Sequence, residues 1–217
     1  MSDNDNIARR KILGGIAGMA GVSLASGVTL FSFAGAKEPG DAVTSKVRWG
    51  MLIDAGKCAD GCDACVTACF KENGIGSTGR PESDPQWIRK VEVRDPKSGA
   101  TKSLPVMCQH CAEPPCVDVC PTGASFKRED GIVLVAKQTH APRGKGTVEG
   151  CTLCVHRIDA GGTPACVEAC NDTSGGAMLF GNLNDPMSEI SKRVAKYNTR
   201  QIRADLRLDP GIRYRGL

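Results

Sequence analysis

Pro105-Val106-Met107-Cys108-Gln109-His110-Cys111-Ala112-Glu113-Pro114-Pro115-Cys116-Val117-Asp118-Val119-Cys120-Pro121-Thr122-Gly123 is the stretch on which the fold turns. Its four cysteines are separated by two, four and three residues, and a proline follows the last. Cysteines this close on a looping backbone reach neighbouring points of one centre, while the next helical turn carries the last sulfur elsewhere. Two further groups repeat the theme. Cys58, Cys62, Cys65 and Cys69 precede it, and Cys151, Cys154, Cys166 and Cys170 follow it. All twelve cysteines of the 217-residue chain belong to these three groups.

Three chemistries compete for such a pattern. An even cysteine count permits disulfides in an exported protein, but dense disulfide frameworks belong mostly to chains under about 100 residues. Zinc is the better rival, because four-cysteine zinc sites also use paired Cys-x2-Cys units. The third group taken alone leaves that reading open. An iron–sulfur cubane presents four irons, each wanting one thiolate, and the second group with its Cys120-Pro121 follows the ferredoxin spacing. In two-cluster ferredoxins the last cysteine of a run serves the other cluster, so groups interlock. Together the three groups point to [4Fe–4S] clusters, three in number, with all twelve cysteines as ligands.

The rest of the composition agrees with a fold built around metal. Nine aromatic residues accompany 26 glycines and 12 prolines, so the apolar core is thin for this length. Metal–thiolate bonds absent from the unfolded chain add directly to folding free energy.

Residues 1–36 read as a separate segment. Arg9-Arg10 precede a stretch from Ile12 to Ala36 without a charged residue, and Ala34-Gly35-Ala36 offers a small-x-small cleavage site. This is the pattern of a twin-arginine export signal to the periplasm, a route that carries proteins already folded around their cofactors. An uncleaved membrane anchor is the alternative, although Gly and Ala make up much of the stretch. Setting aside three basic and two acidic residues there leaves 25 Lys and Arg against 22 Asp and Glu. That balance gives no reason to expect nucleic acid. The charge-rich stretch from Lys192 to Arg207 reads as solvated surface.

Residues 37–217 form the cluster-bearing domain, beginning with a linker over Lys37–Ser45. Alternation predicts strands over Val47–Asp54, Trp87–Val93, Ser103–Met107, Gly131–Val135 and Ala177–Phe180. The second and third form a hairpin across Asp95–Gly99. Short helices are expected over Val66–Lys71, Thr152–Asp159, from Cys166, and over Pro186–Lys196. Asn73–Pro85 and Lys137–Gly150 read as irregular, Gly161–Pro164 as a turn, and Pro114-Pro115 as extended. Residues from about 186 to 217 then comprise a C-terminal helix and an extended arm with Tyr214 near its tip. Trp49, Trp87 and this arm are candidate docking elements. The sum is an α+β, ferredoxin-like fold.

Catalytic groups are scarce. Of the three histidines, His110 and His156 lie inside cysteine runs, where packing or a hydrogen bond to sulfur is expected. No Gly-rich phosphate loop follows a strand. Asp118 and Glu168 lie between ligand cysteines and suit charge tuning or the surface. The expectation is an electron carrier with no catalytic site of its own.

Several runs resemble the iron–sulfur β subunits of dimethyl sulfoxide and polysulfide reductases. They are Arg48–Asp54, Pro105–Cys111, Cys151-Thr152-Leu153-Cys154-Val155-His156-Arg157, Pro164–Cys170 and Gly181–Pro186. The signal and the tail Leu208-Asp209-Pro210-Gly211-Ile212-Arg213-Tyr214 are most similar to the branch serving the membrane complex linked to dissimilatory sulfite reductase. That resemblance implies a periplasmic, membrane-associated electron carrier of sulfur metabolism. Its implied partners are a multispan quinone-interacting membrane subunit and a periplasmic multihaem cytochrome c. A β subunit of a molybdopterin oxidoreductase is the nearest alternative. The family carries four cysteine groups, and here the one expected after Val135 is missing. By the family's interlocking, one cluster takes Cys58, Cys62, Cys65 and Cys170, and a second takes Cys69, Cys151, Cys154 and Cys166. The second group is left to hold a cluster on Cys108, Cys111, Cys116 and Cys120. A three-iron centre, or His110 or His140 as a substitute ligand, are the other options.

Overall fold

A computed structural model describes residues 19–25, 28–33, 43–77, 79, 84–136 and 149–217. The Arg9-Arg10 pair, the Ala34–Ala36 site, His140 and most of the Lys137–Gly150 stretch lie outside them. Strands β1 (Met19–Ala25) and β2 (Val28–Phe33) pair antiparallel. Among the described residues no helix is long and apolar enough to cross a membrane.

The domain is organised on β3 (Trp49–Asp54), whose middle four residues are all buried. Apolar side chains on both faces suit a central strand, and Gly50 allows the closest approach. A Cβ there would come within 2.4 Å of the Gly211 carbonyl and of Leu183. Helix α1 (Ala64–Glu72) follows, then the antiparallel hairpin of β4 (Ile88–Arg94) and β5 (Thr101–Met107). Its turn is closed by Asp95, whose carboxylate accepts from the Lys97 amide at 2.8 Å, and by Gly99 at φ +73°.

Helix α2 (Pro115–Asp118) begins at Pro115, so only Pro114 keeps the extended form expected of both prolines. Proline at the first helical position loses no hydrogen bond. Strands β6 (Ser125–Lys127) and β7 (Val133–Val135) form a small antiparallel hairpin, of which only β7 was legible from alternation. Asp130 in its turn is buried and held by Arg128, which also pairs with Asp159 at 2.7 Å.

Helix α3 (Val155–Asp159) starts three residues later than the expected Thr152, because Leu153 and Cys154 take positive φ, 55° and 51°. Helix α4 (Ala165–Ser174) packs against α1. Strand β8 (Met178–Asn182) pairs antiparallel to β3, with Ile53 opposite Met178. Helix α5 (Glu189–Lys196) opens at Ser188, whose hydroxyl accepts from the Ser191 amide at 3.2 Å, which moves its start from the expected Pro186.

The C-terminal segment is extended but is not a free arm. After β9 (Thr199–Arg200) and a 3₁₀ turn at Ala204–Leu206, β10 (Ile212–Arg215) inserts into the sheet in the order β8-β3-β10-β9. It runs parallel to β3, and Ile212 and Tyr214 are fully buried. The alternation Ile212-Arg213-Tyr214-Arg215 is that of a strand with one apolar face. Trp87 is likewise core, its Nε1 donating to Glu149 at 3.1 Å, and Trp49 stacks on Phe180. The tail also ties the second cysteine group to this sheet: Cys111 bridges to Pro210, and the Gly211 amide donates to Gln109 O at 2.8 Å.

Candidate metal centre

Helices α1 and α4 each present two cysteines four residues apart, Cys65 with Cys69 and Cys166 with Cys170, all four buried. Four-residue spacing puts both sulfurs of a helix on one face, and the two helices pack together. Cys65 shares a cavity with Cys170, and Cys58 and Cys62 complete its sulfur lining beside Pro105, Ala177 and Met178. Three residues of the first group and one of the last therefore meet across more than a hundred positions of sequence. Cys151, Cys154 and Cys69 bear on Cys166, and so, more weakly, does Cys65.

The twelve cysteines carry no disulfide. Burial raises Cys65 to about 11 with help from the charges of Cys170 and Cys58, and raises Cys69 to about 12. Burial lifts Cys108 to about 11 and raises Cys151 and Cys166 strongly as well. Buried sulfurs crowded in this way cannot all ionise unless a cation is placed among them. Iron supplies that positive charge, and a coordinating thiol is deprotonated outright. No three His, Cys, Asp or Glu side chains among the described residues converge on one ion position. A tetrahedral zinc centre needs such convergence, whereas a cubane takes its thiolates at separate corners.

Hydrogen-bond donors already point at several sulfurs. The Leu153 amide donates to Cys151 Sγ at 3.3 Å, and Asn73 Nδ2 lies 3.6 Å from Cys69 Sγ. Burial raises the Cys170 thiol, and the amides of Ala177 and Met178 pull it partly back. Lys90 Nζ lies 3.1 Å from Cys58 Sγ and also donates to Ala59 O. Lys90 and Asn73 escaped the sequence reading. Lys90 stands 32 positions from Cys58 on a strand whose pattern carries no metal signal.

The second group is arranged differently. Cys108, Cys111 and Cys116 act on one another. The groups that bear most on Cys120 are Ser125 and Thr122, which lower its thiol to about 6. Its Sγ accepts from the Ser125 amide at 3.4 Å. Three members of the expected set thus interact with one another, Cys108 also bears on Cys151, and Cys120 is held by hydrogen bonds within its own turn.

His110 is 1% exposed, and its Nδ1 accepts from the Val133 amide at 3.0 Å. The proton must then sit on Nε2, and burial drops the ring to about 4. A protonated Nε2 has no lone pair to give iron, which removes His110 as a substitute ligand. This buried N–H has no hydrogen-bond partner among the described residues, and an inorganic sulfide or thiolate of a neighbouring cluster is an acceptor that fits it. His156, by contrast, is exposed and pairs with Glu72 at 2.8 Å. Glu168 pairs with Arg157 and Asp118 is exposed, so both belong to the surface.

Sulfur-lined sites on facing helices, ringed by N–H donors, define an iron–sulfur protein. Comparison with known proteins agrees. The 4Fe-4S dicluster domain family matches residues 100–145, across the second group. The chain is 35% identical to the Hdr-like menaquinol oxidoreductase iron-sulfur subunit 1 of Archaeoglobus fulgidus, covering 82% of this chain and 86% of that protein. It is 33% identical to a tetrathionate reductase subunit of Salmonella typhimurium over 78% of this chain and 73% of the other. It is also 33% identical to a sulfite dehydrogenase subunit of Allochromatium vinosum, over 76% and 81%. The chain belongs to this family of iron–sulfur subunits of oxidoreductase complexes, and it is an electron-transfer subunit with [4Fe–4S] clusters.

Proposed function

We propose that this chain relays single electrons through three clusters, in the periplasm, as a subunit with no catalytic site of its own. The partners we assign are a multispan quinone-interacting membrane subunit and a multihaem cytochrome c, within dissimilatory sulfur metabolism. The relatives support this reading, since they include subunits of a menaquinol oxidoreductase, a tetrathionate reductase and a sulfite dehydrogenase. The twin-arginine pattern of residues 1–36 supports the location.

The observation that carries the reading is the cavity shared by Cys58, Cys62, Cys65 and Cys170. It supports one cluster on those four and a second on Cys69, Cys151, Cys154 and Cys166. Cys108, Cys111 and Cys116 hold the third, which Cys120 joins once its turn shifts. When bound, the clusters supply a one-electron redox change whose potential follows burial, charge and hydrogen bonds to sulfur. The chain's part is to fix those three variables. The Leu153 amide and Asn73 donate toward sulfur, Lys90 places a positive charge at Cys58, and the buried faces of α1 and α4 exclude water.

Iron and sulfide analysis of anaerobically isolated protein, with electron paramagnetic resonance on reduction, tests the proposal. About twelve irons per chain and three reducible centres are expected from three cubanes. A colourless, zinc-rich protein would refute it. Co-purification with a molybdopterin subunit in place of the membrane subunit and cytochrome would favour the alternative, a β subunit of a molybdopterin oxidoreductase.

A further inference from the structure

A second cavity lies beside the first cysteine cluster, and its walls carry charge. Lys57, from the loop after β3, and Lys192 and Lys196 of α5 line it together with Leu52, Leu179 and the Tyr197 ring. Arg215 and Arg193 join the lining, but each has a carboxylate: Arg215 meets Asp54 at 3.0 Å and Arg193 meets Glu189 at 2.7 Å. Among the described residues Lys57, Lys192 and Lys196 have no ion-pair partner, and all three are exposed. The linear sequence hides this. Lys192 and Lys196 read there as a solvated helix face, and only the sheet brings Lys57 and Arg215 against them.

The place of the cavity matters as much as its charge. Ala177 lines both this cavity and the one formed by Cys58, Cys62, Cys65 and Cys170, so the two share a wall. Lys57 precedes Cys58 directly. Apolar lining within a polar, solvent-accessible rim matches the anatomy of a protein interface. Cationic rims steer and orient acidic partners.

We propose that this basic cavity docks the acidic face of a one-electron carrier protein, and that electrons pass there to or from the cluster held by Cys58, Cys62, Cys65 and Cys170. The inference rests on the electron-relay reading above and adds to it the face and chemistry of one partner.

Reduced flavodoxin, an acidic one-electron protein, serves as the probe against the fully loaded chain in anaerobic stopped-flow. Flavodoxin loses one electron and the chain gains one. The second-order rate is expected to fall with rising salt in the native chain. It is expected to drop about tenfold or more in Lys57→Glu/Lys192→Glu, with the salt dependence lost. Reversing two charges at the β4–β5 hairpin tip, outside the cavity lining, Arg94→Glu/Lys97→Glu, is expected to leave the rate nearly unchanged. Oxidation of the reduced chain by mitochondrial cytochrome c, a basic protein, is expected to hold or rise in the cavity variant. An unchanged flavodoxin rate in the cavity variant, or an equal loss in the hairpin variant, overturns the proposal. Inhibition by phosphate beyond that of sodium chloride at equal ionic strength reassigns the cavity to a small oxyanion and also overturns it. A native chain that takes no electrons from flavodoxin at all, despite its full iron content, would instead overturn the relay reading itself.

Discussion

Replacing Lys90 by methionine is expected to lower the potential of one cluster without loss of iron. The ammonium lies 3.1 Å from Cys58 Sγ. With a metal–thiolate bond of about 2.3 Å beyond the sulfur, the charge lies roughly 5 Å from the ligated iron. A unit charge at that distance interacts by about 0.8 kcal/mol in bulk water and about 3 kcal/mol at an effective dielectric constant of about 20. Lys90 is half-buried, which places the effect near 1.5 kcal/mol, or about 65 mV for one electron. The sign follows from charge. Reduction adds a negative charge that the ammonium stabilises, so removing the ammonium disfavours reduction. Methionine keeps the unbranched apolar stem and deletes only the charge and its hydrogen bonds. Redox titration followed by electron paramagnetic resonance, with iron analysis as control, reads the shift cluster by cluster. No shift in any cluster, or a shift to higher potential, with iron content intact, would refute the placement of Lys90 beside a cluster thiolate.

Gly50→Ala forces a methyl group onto the Gly211 carbonyl and Leu183, both 2.4 Å from its position. It should cost about 3 kcal/mol, seen as a lower urea midpoint with an unchanged slope. Arg128→Met leaves the buried Asp130 carboxylate without its cation and should cost about 3 kcal/mol. Asp159→Asn, on the exposed side of the same arginine, should cost under about 1 kcal/mol by the same denaturation assay. Chelation of iron under reducing, anaerobic conditions is expected to abolish visible absorption and cooperative thermal unfolding together. An apo chain that melts at the native temperature would refute the idea that metal–thiolate bonds supplement the thin core.

Much of the local structure could be read from pattern. The β4–β5 hairpin follows from alternation on both sides of Asp95–Gly99, and α1 and α4 follow from cysteines at helical spacing. Other features could not. Strand β6 is three residues long with an exposed Phe126, too short for period two to register. The late start of α3 reflects the positive φ of Leu153 and Cys154, residue types that carry no signal for that conformation. The C-terminal strand has a clear alternation, but an edge, an arm and a central strand share it. Only pairing with β3 and β9 makes Tyr214 core.

The sequence by itself determines the chemistry: twelve thiols in three groups, spaced so that no sulfur lies far from others of its group, suit metal clusters whatever the surrounding fold. Ligand spacing is a local property, and local properties survive in a linear string. How the first and third groups come together, which spacing alone leaves open, was decided by tertiary structure, because the packing of α1 on α4 brings Cys65 into one cavity with Cys170. The lysine at Cys58 and the basic cavity beside Ala177 also arise only when distant segments meet. Such neighbours are set by the burial of β3 between β8 and β10, an energetic choice of the whole chain that no short motif encodes.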